Sequence, residues 1–144
     1  TLAGEEKVYT AGTQKLIVEY LGWKICPLVC YDLRFPVFSR NVEDYDLLIY
    51  VASWPNVRTT AWDALLKALA ENISYVIGVN RIGADGNNHS YIGHSQVVDS
   101  LGEYVLEPQE SEAIFTATLD KSKLIEIRKK FACLNDKDDF ELKS

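Results

Sequence analysis

The 144-residue chain is 47% apolar and 25% charged, a balance that permits one domain with a sizeable core. Its 15 basic and 21 acidic residues leave a net charge of −6 with the acids scattered, so no basic face is offered to nucleic acid or anionic lipid. The apolar runs, such as residues 47–52, fall far short of a bilayer span, which argues against a membrane partner.

Residues 15–20 and 23–31 are rich in β-formers and flank Leu21-Gly22, a hairpin that feeds a buried strand ending at Cys30. Phe35-Pro36 closes that extended segment, and Pro36 suits the first turn of a short helix reaching about Val42. Residues 46–52 (DLLIYVA) are apolar on both faces, as in a strand covered on both sides, and Ser53-Trp54-Pro55-Asn56 breaks the run. Thr59 or Thr60 is expected to cap a helix running to about Asn72, with Trp62, Leu65, Leu66 and Leu69 forming one buried stripe.

A strand over 75–82, a turn over 83–88 and a hairpin of 94–99 with 103–106 around Leu101-Gly102 follow. Residues 113–119 are expected as another strand. Asp120 then caps a helix to about Phe131, with Leu124, Ile127, Arg128 and Phe131 at three- and four-residue steps. The tail, 133–144, is polar apart from Leu134, Phe140 and Leu142 and reads as an arm that docks elsewhere. The alternation indicates an α/β fold whose sheet mixes parallel and antiparallel pairs.

Three cysteines, Cys26, Cys30 and Cys133, cannot all pair within the chain, which fits a reducing cytoplasm. Cys30 stands where a buried strand hands over to a turn and helix, so the following amides can face its sulfur and an oxyanion beside it. A cysteine at the end of an apolar strand is also commonly a small buried hydrophobe, and Cys26, inside the strand, exemplifies that case. A zinc site from Cys26, Cys30, His89 and His94 matches no usual ligand spacing, and a Cys/His pair of the papain type lacks an orienting partner for either histidine.

The words around Cys30 are more specific. Cys30-Tyr31-Asp32-Leu33-Arg34-Phe35-Pro36 resembles the nucleophile segment of the nitrilase superfamily of carbon-nitrogen hydrolases, and Tyr45-Asp46-Leu47-Leu48 with Ser53-Trp54-Pro55 follows at the distance seen in its omega-amidase members. Asn80-Arg81-Ile82-Gly83, Asp85-Gly86-Asn87 and Tyr91-Ile92-Gly93-His94-Ser95-Gln96 resemble later blocks, and Lys130-Phe131, Asn135-Asp136 and Asp139-Phe140 the end of the family pattern. The resemblance implies a four-layer αββα sandwich with mixed sheets and a triad of glutamate, lysine and cysteine.

In that scheme Cys30 attacks an amide carbon, ammonia leaves, and water hydrolyses the thioester. The backbone N–H of Tyr31 holds the oxyanion, Glu5 supports the lysine, and Trp54 lines the substrate pocket or serves as a core aromatic. The implied partners are a small amide, water and a second copy of the chain in a homodimer, with no cofactor and no metal. His94 resembles a buried histidine that braces the sheet, Asp32 and Arg34 are expected to pair across the elbow, and Arg58 and Arg81 to form ordinary salt bridges or meet a substrate carboxylate.

Two departures stand out. The triad glutamate and lysine match nothing in the chain, with Lys7, Lys15 and Lys24 in the wrong context, so residues 1–144 are expected to be the C-terminal portion of one hydrolase domain and inactive alone. The family pattern also holds one more residue before Glu71-Asn72, and the chain contains no methionine, which predicts that a Met belongs at that point. The same resemblance leaves open an N-carbamoyl amide or nitrile hydrolase, and a non-catalytic partner module.

Overall fold

The computed structural model describes residues 4–12 and 14–138, without the side chain of Glu5. Asp139, Phe140 and Leu142 therefore lie outside the described residues. A six-stranded sheet runs in the order β1 (Val18–Tyr20), β2 (Trp23–Val29), β3 (Leu47–Ala52), β4 (Tyr75–Asn80), β7 (Ser95–Val98) and β8 (Tyr104–Gln109). A separate two-stranded ribbon is formed by β5 (Ile82–Ala84) and β6 (Ser90–Ile92).

The three central strands are parallel, with Val29 opposite Val51 and Ala52 opposite Asn80, while β1, β7 and β8 pair antiparallel. Parallel neighbours need crossovers. The first passes through α1 (Pro36–Ser39), the second through α2 (Thr59–Ala68). Continuous apolar sequence marks the central strands because side chains on both of their faces are covered for much of their length.

Side chains alternate between the faces. Cys26, Leu28, Leu48, Tyr50 and Val76 pack with Trp62 and Leu66 of α2 and with Leu33 in one core cluster. Leu47 and Tyr75 join Leu124 and Ile127 of α3 (Lys121–Lys130) in a second. Helix α3 reaches only the amino ends of the strands, so toward the carboxyl ends Val29, Val51 and Val79 stand 60%, 49% and 47% exposed on that face.

A buried carboxylate fixes α3. Asp46 accepts from the Lys24 amide at 2.9 Å, Lys121 Nζ at 2.7 Å and Arg128 at 3.0 Å. Arg128 also donates to the carbonyls of Ile73 and Tyr45. Such charge-assisted bonds satisfy the buried carboxylate from two partly exposed cations and define the docking geometry.

Several local expectations are corrected. Residues 113–119 form no strand: rather than laddering on the free edge of β8, they border a cavity with Ile77, Val79, Val97 and Leu106 of the sheet. Neither threonine caps α2; Arg58 holds the cap position, while Thr59 donates its hydroxyl to the Asn56 carbonyl. Helix α2 ends at Ala68 and continues as a 3-10 turn, Leu69–Asn72, before Ile73 at φ 46°. A 3-10 turn rises about 2.0 Å per residue against about 1.5 Å in an α-helix, so it spans the gap to β4 with fewer residues. Helix α1 stops at Ser39, short of Val42.

Candidate active site

Chain order brings the carboxyl ends of β2, β3 and β4 side by side, and in open α/β sheets the crevice beyond those ends is where ligands bind. The first residue past β2 is Cys30, at φ 39°, a left-handed conformation rare for a residue with a β-carbon. It opens a 3-10 turn, Cys30–Arg34, and Pro36 then starts α1. The half-buried Cys30 thiol faces the Ser53 carbonyl at 4.0 Å, just past β3.

The elbow is held by Asp32, whose carboxylate accepts from the Val29 amide at 2.9 Å and whose carbonyl accepts from the Phe35 amide at 3.0 Å. The expected Asp32–Arg34 pair is replaced. The Arg34 guanidinium lies over the Trp54 ring at 4.6 Å, a cation–π contact that fits a half-wet surface. Tyr31 is in the first turn, where a backbone N–H has no carbonyl within the turn to bind. Glu5 begins the turn Glu5–Lys7; its side chain lies outside the described residues.

Trp54 is 2% exposed, with Trp62 5.6 Å from its ring and Arg34 over it, so in this structure the indole is packed inside. Asn80, to which the sequence reading gave no role, fixes it: Asn80 Oδ1 accepts from the Trp54 amide at 2.7 Å, and its Nδ2 donates to the carbonyls of Trp54 and Gly93. A buried amide with three bonds of this kind sets the spacing between the ends of β3 and β4. Its one visible signal was a polar residue closing an otherwise apolar strand.

Cys26, by contrast, is fully buried in the core, and burial pushes its thiol up to about 11, which makes it inert. Among the described residues no group of three His, Cys, Asp or Glu side chains converges as a metal site. Lys15 is engaged elsewhere, with Glu43 at 2.6 Å and the Arg40 carbonyl at 2.8 Å.

Beyond the edge lies the ribbon loop. Asp85 accepts from the amides of Asn87 and His89 through Oδ1, and from the Tyr91 hydroxyl at 2.8 Å and His89 Nδ1 at 3.1 Å through Oδ2. These bonds hold its carboxyl well below the usual range, and they hold the Tyr91 phenol up. Tyr91 also feels the Cys30 thiol and the Arg81 guanidinium, which stacks over its ring at 4.6 Å. The ordinary salt bridges expected for Arg58 and Arg81 are absent among the described residues; neither arginine pairs with a carboxylate there.

His94 braces the sheet from φ 60°, with Nδ1 2.8 Å from Asp63 and Nε2 3.0 Å from Glu110. Its carbonyl accepts from Trp62 Nε1, and Gln96 bonds Asp63. Burial lowers the imidazole pKa, but the two carboxylates outweigh it and the net direction is upward. A raised folded-state pKa gives stability that is complete below the unfolded value of about 6.5 and lost as pH rises through the folded one. His94→Asn, suited to the left-handed backbone, is therefore expected to lower the Tm most near pH 6 and least near pH 9, a narrowing read by thermal melts across that range.

Residues 3–129 match the sequence model of the carbon-nitrogen hydrolase family. The chain belongs to the carbon-nitrogen hydrolase family. It is 49% identical over 143 residues to Omega-amidase YafV of Escherichia coli K12, covering 98% of this chain and 56% of that protein. It is 36% identical over 141 residues to the 2-oxoglutaramate amidase of Paenarthrobacter nicotinovorans, covering 93% of this chain and 48% of that one.

Among solved structures, a CN-hydrolase superfamily protein from Xanthomonas campestris with an arsenic adduct in its active site superposes with a TM-score of 0.93 at 46% identity, over 99% of this chain and 57% of that one. The nitrilase-type α/β fold is thereby shown. This carbon-nitrogen hydrolase chain spans about half the length of the curated relatives it matches.

Proposed function

We propose that the full-length protein hydrolyses the terminal amide of a small dicarboxylic monoamide, such as 2-oxoglutaramate, through a Cys30 thioester. The observation that carries this is a cysteine at the end of a central parallel strand, held at φ 39° in a turn whose next amide is Tyr31. The substrate class comes from the activities after which the relatives that match nearly all of this chain are named.

In this reading the Cys30 thiolate adds to the amide carbon and the Tyr31 N–H stabilises the oxyanion. Collapse expels the nitrogen as ammonia once it is protonated, leaving a thioester, and water then attacks the same carbon to release the acid and restore the thiol. The triad base and lysine come from outside residues 1–144, which act as the C-terminal portion of a single domain, and Glu5 supports that lysine. Trp54 contributes to the substrate site through its backbone and through the guanidinium held on its ring. Three unpaired cysteines support a cytoplasmic setting, and the family resemblance supports a homodimer.

The test is ammonia release from succinamate by the full-length protein. We expect turnover that stops on alkylation with iodoacetamide and persists in EDTA. Turnover indifferent to alkylation would remove Cys30 from the mechanism, and absence of turnover on any small amide would favour a non-catalytic module.

A further inference from the structure

We infer that the Ser53 carbonyl receives an N–H of the scissile amide, and that Asn80 is the positioning residue that keeps it beside the nucleophile. This inference rests on the amidase reading above and concerns the leaving nitrogen, to which that reading gives no partner in residues 1–144.

Ser53 is exposed and lies just past the carboxyl end of β3, with its carbonyl oxygen 4.0 Å from the Cys30 sulfur. Among the described residues no other donor takes that oxygen. A carbonyl oxygen only accepts, and of the groups on an amide carbon the nitrogen is the one that donates. The Tyr31 N–H supplies the converse, a donor next to the same cysteine in the first turn of the elbow. Donor and acceptor together match the C=O and the NH2 of a primary amide. The distances agree: a nitrogen on the carbon that the sulfur attacks lies about 2.7 Å from that sulfur and an N–H···O bond spans about 2.9 Å, so the two legs close over a 4.0 Å gap with a bend at nitrogen.

Strand β4 holds the Ser53 carbonyl from both sides. Before it, the Ala52 carbonyl accepts from the Arg81 amide at 3.2 Å, the last backbone rung between β3 and β4. After it, the Asn80 side chain takes over: Oδ1 accepts from the Trp54 amide at 2.7 Å and Nδ2 donates to the Trp54 carbonyl at 3.0 Å, so one carboxamide imitates a facing peptide. Asn80 is itself clamped. Its backbone N–H donates to Ser95 Oγ at 3.0 Å, the Ser95 hydroxyl donates to the Asn80 carbonyl at 3.2 Å, and Nδ2 also donates to the Gly93 carbonyl at 2.8 Å. Gly93 sits at φ 82°, where a β-carbon would come within 2.7 Å of the Gln109 carbonyl, so that acceptor is fixed as well. Asn80 is buried and Ser53 exposed, which puts the anchorage behind the carbonyl and leaves its front to a ligand.

The step balances with no proton passing through Ser53. The triad base takes the thiol proton as the sulfur–carbon bond forms and returns it to the nitrogen as the carbon–nitrogen bond breaks, so ammonia leaves and the thioester remains. During that collapse the nitrogen gains positive charge, and its bond to a fixed carbonyl strengthens, which favours the transition state over the bound amide. An ester oxygen in the same place carries no hydrogen and meets the carbonyl lone pair to lone pair.

The experiment compares succinamate with monomethyl succinate, which keeps the carboxylate and the carbonyl and puts an oxygen in place of the NH2, in the full-length protein. The quantity read is kcat/KM, because it ends at thioester formation and excludes the hydrolysis that both substrates share. Asn80→Ala is expected to lower the amide-to-ester ratio by about 10-fold while ester hydrolysis stays within about threefold of wild type, which also reports an intact fold. Ser95→Ala loosens the clamp one bond further back and should move the ratio in the same direction by about threefold, which decides the case where Asn80→Ala does not fold.

An amide-to-ester ratio unchanged in the folded variants overturns the assignment while leaving the amidase reading standing. Equal loss on both substrates overturns it in favour of a structural role for Asn80. A wild type that releases ammonia from no small amide overturns the amidase reading and the inference with it.

Discussion

Cys30→Ala in the full-length protein is expected to reduce ammonia release by about 10⁴-fold or more, the scale on which loss of a covalent nucleophile is felt. The substitution removes one half-buried sulfur that lies 4.0 Å from the Ser53 carbonyl at the margin of the core cluster on the α2 side. The Asp32 bond to the Val29 amide does not involve that sulfur, and the thiol is only half-buried, so the thermal midpoint should move by less than the effect of a core truncation. The decisive comparison pairs the ammonia assay with a melting curve: lost turnover with an unchanged melt assigns chemistry to the thiol, whereas retained turnover assigns it elsewhere. Cys26→Ala supplies the contrast, because a thiol raised to about 11 by burial has no reactive form to lose and its removal should be felt in stability.

Trp62→Ala should produce the largest loss of stability of a single core change, about 3–5 kcal/mol, measured by urea unfolding of the full-length protein. Trp62 is fully buried, packs on Trp54, and donates Nε1 to the His94 carbonyl at 2.9 Å. Truncation therefore opens a cavity and removes the shorter of two donors to the His94 carbonyl, with Gln96 Nε2 at 3.1 Å remaining. Opposite the indole, β4 carries Gly78, where a β-carbon would come within 2.7 Å of Trp62 and would also collide with Leu66. The glycine is thus the sheet's accommodation of the tryptophan. Because Trp62 also backs Trp54, and Trp54 carries Arg34, activity of the variant should decline at temperatures below its unfolding midpoint. An unfolding free energy within 1 kcal/mol of wild type would show that the stack contributes little.

The central strands were legible because they are apolar on both faces, and α3 because Asp120 caps it, accepting from the Lys123 amide, while Leu124 and Ile127 form its buried stripe. Residues 113–119 carry the same strand-like composition yet form none, since a strand is defined by a neighbour and composition does not show one. The candidate site divides in the same way. Cys30 stood out by its place in a local pattern. The bonds of Asn80 to Trp54 and Gly93 bridge 26 and 13 residues, and that of His94 to Asp63 bridges 31. Nothing in one sequence announces such partners. Arg34 shows the limit most plainly: the nearest acid in sequence, Asp32, was the natural partner, but Asp32 is committed to the Val29 amide and the guanidinium settles on an aromatic ring from another crossover.

The left-handed backbone at Cys30 also has a bearing on how this protein can be improved. Glycine is the residue that geometry favours, so any selection for foldability alone would push position 30 toward an inert side chain. Thermostabilised variants found without an activity screen should accumulate Gly at that codon, and engineers seeking robustness should leave the elbow alone and look to Asp44, another non-glycine residue with positive φ, far from the thiol in the chain.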